Sequence, residues 1–196
     1  PLYFAIAWGV AEPLEEFFGV DFIDGARLSG VLWLASSAIL LYFGLIRLRV
    51  PVALSAAAPL MLMGSLAAWW SVTFVSTDAT ALFSGSLMFF VLVWYLQRGR
   101  GGWVVASDGA LVTLLKFQNF MSVVFVALVV LVSAGFRSET LERFGMRVSS
   151  RRRSALTAGL IVLVSILAQL VWMLVRRLLA EGQAAEQGVA DPLSIP

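Results

Sequence analysis

The chain has 196 residues, 60% of them hydrophobic and 13% charged, with a formal net charge of +2. Soluble domains carry about 25% charged residues, so an ordinary soluble domain is excluded and a helical domain in lipid is expected. Cysteine and histidine are absent, which excludes disulfides, His- or Cys-ligated haem or metal, and a histidine general base.

The small basic excess reads as arginine in the loops of one membrane side, not as a nucleic-acid surface. The first residue is proline, so a processed or longer precursor is expected. Residues 1–11 lack the basic region of a complete signal peptide.

Residues 1–27 set Glu12, Glu15, Glu16, Asp21 and Asp24 among Phe17, Phe18 and Phe22. Glu12, Glu15, Glu16 and Gly19 fall at helical spacing, which predicts an acidic interfacial helix. Glu15 to Gly19 reads EEFFG and resembles the start of the EExxxR motif of the CAAX-type intramembrane proteases. The arginine and histidines that complete that family's metal site are absent, so no activity carries over.

Residues 28–46 are free of charge and close on Arg47 and Arg49. About 20 apolar residues cross the hydrocarbon core, so this is the first predicted span. A second covers 52–75, where Pro59 should kink the helix or mark its first turn. Gly64 with Ala68, and Ala81 with Gly85 in the third span at 81–96, fit the small-xxx-small pattern of close helix contacts. Asp78 lies in the tight polar turn between these spans, which holds no basic residue. The run Arg98-Gly99-Arg100-Gly101-Gly102 is a flexible basic loop.

Residues 103–136 are too long for one simple crossing and carry Lys116, the only lysine, beside Gln118 and Asn119. A single broken crossing would divide the basic residues evenly between the two sides. A re-entrant or double crossing would gather the loop arginines of 47–49, 98–100 and 137–153 on one side, the pattern insertion favours. Against it stands length, since two full crossings of about 20 residues each do not fit.

The last span is 154–175, which carries Gln169 and ends at Arg176 and Arg177. The expected architecture is therefore all-α: a polytopic transmembrane helix bundle of about five spans, with a broken or re-entrant segment at 103–119. Its parts are an acidic segment at 1–27, a transmembrane domain at 28–177 and a polar tail at 178–196.

Two clusters are candidates for function. Asp108, Lys116, Gln118, Asn119 and Gln169 could line a polar path, with Asp108 as counter-charge to Lys116, because ionisable groups in lipid face partners or water. The bland alternative is a lysine that snorkels at the membrane edge. A lysine, two amides and Gln169 are faintly similar to the proton-channel subunit of rotary ATP synthases, whose arginine on a long helix has no counterpart inside a span here. Arg143, Arg147, Arg151, Arg152 and Arg153 form a second cluster suited to anionic lipid or a partner subunit. No phosphate-binding loop, dinucleotide fingerprint, nucleophile elbow or HExxH motif is present.

The expected function is that of a non-catalytic accessory or scaffold subunit of a larger complex in a bacterial inner membrane or an organelle inner or thylakoid membrane. The expected partners are lipids and other membrane subunits or further copies of the chain, with bound lipid but no cofactor or metal. A small channel or transporter is the alternative, and a lipid-acting enzyme using Glu12, Glu15 and Glu16 is the second.

Overall fold

The computed structural model describes residues 2–75, 77–135, 144–147 and 150–187, without the side chains of 67, 71, 72 and 179–187. Among these the structure is helical with no strand: α1 (Leu2–Phe18), α2 (Phe22–Arg47), α3 (Val52–Met63), α4 (Leu66–Thr73), α5 (Ala79–Arg98), α6 (Gly102–Leu115), a 3₁₀ turn (Phe117–Asn119), α7 (Phe120–Ser133) and α8 (Arg151–Gln187). Three of them, α2, α5 and α8 as far as Leu178, are long and apolar enough to cross a membrane.

Helix ends follow local chemistry. Gly19, at φ 64°, closes α1 with bonds from Gly19 N to Glu15 O and from Val20 N to Leu14 O, the paired pattern of a glycine C-cap. Asp21 then accepts from Ile23 N at 2.9 Å and starts α2. Arg49 occupies the corresponding left-handed position after α2, at φ 61°. The predicted span at 52–75 breaks at Gly64–Ser65, not at Pro59, which stays inside α3. Ser65 caps α4 by accepting from Ala68 N at 3.2 Å.

Contacts along the helices fix their directions. Trp33 stacks edge-on to Phe83, and Gln97 Nε2 donates to the Arg47 carbonyl at 2.6 Å, so α2 and α5 run the same way. A Cβ on Gly25 would lie 3.0 Å from Ala11, while Ile6 and Val10 face Trp33 and Ser36, so α1 folds back along α2. Tyr95 at the end of α5 donates to Thr157 near the start of α8 at 3.1 Å, so these two helices run oppositely.

Residues 102–133 form a helical hairpin. A Cβ on Gly102 would lie 2.8 Å from Thr157, and one on Gly109 would lie 2.9 Å from Ser165. Helix α6 therefore climbs beside α8 in the same direction. Val123 also faces Gly109, and Ser122, Phe125 and Val126 share a cleft with Met88, Phe89 and Leu92, so α7 descends beside α5 in the same direction. Each arm has 14 residues, or about 21 Å.

The core lies between α5, the hairpin and α8: Met88, Val91, Leu92 and Tyr95 meet Val105, Val112, Val123, Val126, Val130, Ala158 and Ile161. Helix α5 is central and largely buried, whereas α8 is peripheral and mostly exposed. The outer face of α8 shows Leu163, Ile166, Leu167, Leu170 and Leu174. Close approach falls at different residues from those the small-residue spacing picks out. A Cβ on Gly85 would meet nothing within 4 Å and Gly64 ends a helix, whereas Gly25, Gly44, Gly102 and Gly109 sit against neighbouring elements.

The two ends of the bundle differ in charge. Arg47, Arg49, Arg98, Arg100, Arg147, Arg151, Arg152 and Arg153 belong to the end where α2 and α5 finish and α6 and α8 begin. The opposite end holds the α1–α2 turn, with Glu15, Glu16, Asp21 and Asp24, together with Asp78 and the tip of the hairpin.

Candidate functional site at the hairpin tip

The turn between α6 and α7 contains neither glycine nor proline, so side chains must hold it. Helix α6 stops because Lys116 takes an extended conformation, φ −157° and ψ 130°. Asn119 N then donates to Lys116 O at 2.9 Å, closing the 3₁₀ turn. The buried Asn119 amide donates at 3.2 Å to the Val112 carbonyl, which also accepts from Lys116 N at 3.4 Å, and at 3.2 Å to Thr80 Oγ1. Thr80 in turn donates to Thr77 O at 2.7 Å. One amide thus ties both arms to the first turn of α5.

Lys116 forms an ion pair with Asp78, in the turn just before α5. The lysine side chain is 21% exposed and the aspartate 57%, so the pair sits at the rim of the bundle. Sequence reasoning named Asp108 as the counter-charge, but Asp108 lies about 12 Å back along α6. The signal for Asp78 was present: a carboxylate in a turn without a basic residue, and a lone lysine without an acid beside it. Thr80 carried no signal of its own.

The remaining candidates are separate. Gln118 is exposed at the tip. Gln169 lines a crevice of about 300 Å³ with Thr113, Phe117, Phe120, Ser165, Ile166, Leu170 and Met173. Its Oε1 is buried without a partner, while the Thr113 and Ser165 hydroxyls donate to the carbonyls of Gly109 and Ile161 on their own helices. Asp108 is half-buried in the middle of α6 and, among the described residues, forms no hydrogen bond or ion pair.

At the basic end Arg147 N donates to Leu96 O at 2.8 Å, and Arg153 Nη1 donates to Gly99 O at 3.3 Å. Arg47 lies over Phe90 and Arg98 over Trp94, with guanidinium carbons 5.4 and 4.7 Å from the ring centroids. Arg151 and Arg152 are exposed beside them, whereas Arg143 lies outside the described residues. Glu12, Glu15 and Glu16 are exposed on α1, and among the described residues no group of three acidic side chains could hold a metal ion.

Comparison with family models, with curated proteins and with solved structures finds no match to the chain.

Proposed function

We propose that the chain is a multi-pass integral membrane protein and a non-catalytic accessory or scaffold subunit of a larger membrane complex. In this reading α2, the α3–α4 pair, α5 and α8 cross the bilayer, and the α6–α7 hairpin enters and leaves from the arginine-rich side. Eight of the eleven arginines among the described residues gather at one end, against Arg27, Arg176 and Arg177 toward the other, which supports that topology, since basic residues concentrate on the side from which insertion occurs. The outward leucines of α8 and the exposed Leu60 and Met61 of α3 then face lipid or neighbouring subunits.

The observation that carries the scaffold reading is the pairing of Lys116 with Asp78 at the rim. The one lysine acts as a clasp between elements instead of lining a passage. Among the described residues the core between α5 and α8 is apolar, and hydroxyls such as Ser133 and Ser165 bond back to their own helices. A continuous polar path is therefore not supported.

The test is the mass and composition of the mildly solubilised native particle. Other chains should accompany this one, and Lys116→Met should leave their number unchanged. Ion or solute flux through liposomes holding only the purified chain would overturn the proposal in favour of a channel. That second reading rests on Asp108 and Gln169, whose polar atoms lie at membrane depth without partners.

A further inference from the structure

We propose that Asp108 is the point at which a partner subunit docks inside the membrane, through an arginine or lysine side chain carried on one of the partner's membrane helices. The inference rests on the accessory-subunit reading and names the contact that reading requires.

Asp108 lies midway along α6, six residues from Gly102 at the basic end and seven from Leu115 at the tip. It is therefore about 10 Å from either end of the arm, at the depth of the middle of the bundle. A carboxylate there is costly, and groups of this kind pair with one another or mark a function. Among the described residues Asp108 pairs with nothing, because the one lysine is taken by Asp78 and the arginines lie toward the ends.

Its position on the helix gives the direction of the missing partner. Val105, Gly109 and Val112 face the core, whereas Trp103, Ser107 and Leu111 form an exposed stripe four residues apart. Asp108 falls on the rim between these faces. A helix laid along the stripe would bring a basic side chain to the carboxylate from outside. The charge selects the occupant: lipid tails offer no cation, and a second copy placing its own Asp108 there would set like charges together.

The test uses native particles purified through the full chain from its own membranes. Asp108→Asn keeps the shape and removes the charge, and should lower partner recovery per chain at least tenfold. Asp108→Glu should restore most of it, and Ile39→Ala on the exposed face of α2 should leave it unchanged. Recovery with Asp108→Asn equal to wild type overturns the proposal alone; a wild-type particle containing only this chain overturns the accessory reading with it. Should Asp108→Asn fail to accumulate, Ser107→Cys in the otherwise cysteine-free chain provides a second measurement. A short bifunctional reagent should join it to a partner helix bearing an arginine or lysine near the adduct, and an adduct on a helix without one overturns the inference.

Discussion

Lys116 and Asp78, 38 residues apart, close the same end of the bundle: the lysine of the hairpin tip is paired with the aspartate that precedes α5. Because Asp78 is more than half exposed, the pair should contribute at most about 1 kcal/mol. Lys116→Met and Asp78→Asn should each lower the melting temperature of the solubilised protein slightly. Their double variant should be no less stable than the worse single one. A coupling above about 3 kcal/mol in that cycle would mean the pair behaves as a buried one.

Asn119 should matter more than Lys116. Its amide serves the Val112 carbonyl and Thr80 together inside the fold, and Asn119→Leu removes both bonds, at a cost of about 1–3 kcal/mol for the two. Thr80→Val removes one of the two contacts and should cost less. Thermal unfolding should therefore rank Asn119→Leu below Thr80→Val and Lys116→Met, and equal stability of all three would contradict the tie described here.

The uneven legibility of the chain has a physical origin. Helical class and apolar spans follow from composition and hydrophobic run length, which one sequence displays in full. Turns that use glycine are readable too, as at Gly99, whereas Gly19, counted with Glu12, Glu15 and Glu16 on a helical face, in fact closes α1. The hairpin turn was open between two readings because it uses neither glycine nor proline; Asn119 holds it through residues on other elements, and tertiary bonds leave no local pattern. Close helix approach was misplaced for a related reason. Spacing finds small residues, as at Ala81 and Gly85, but only packing decides which of them faces a helix. In the site, Lys116 and Asn119 were found because polar residues in an apolar run are conspicuous, whereas Asp78 and Thr80 belong to a turn where polarity is ordinary.

Gly109 should tolerate no side chain unless Ser165 yields. A Cβ there would lie 2.9 Å from Ser165 Oγ and 3.6 Å from the Val123 methyls. Gly109→Ala should destabilise by about 1–3 kcal/mol through overpacking, and adding Ser165→Ala should recover much of the loss. Gly159→Ala, inside α8 with nothing within 4 Å of its Cβ, should stabilise by up to about 1 kcal/mol. Thermal melts of these three variants against the unaltered chain check the hairpin's packing on α8, and failure of Ser165→Ala to compensate would show that the contact is not the cause.

The hairpin also makes a prediction about sidedness. The chain contains no cysteine, so single-cysteine variants need no cleared background. Ser150 is exposed at the basic end, Gln118 at the hairpin tip and Glu16 near the α1–α2 turn. In sealed membrane vesicles of known orientation, a membrane-impermeant thiol reagent should label Ser150→Cys from one side and Glu16→Cys from the other. Gln118→Cys should follow Glu16→Cys, because Lys116 and Asn119 bind the start of α5 and the tip therefore reaches that level. The two arms are only about 21 Å long against a hydrocarbon core of about 30 Å, so the tip reaches the far side only where the protein and its polar turn admit water. Labelling of Gln118→Cys from the Ser150 side would place the tip in a cavity open to the basic end. Protection from both sides would place it in the membrane interior, and either result would remove the proposed traverse.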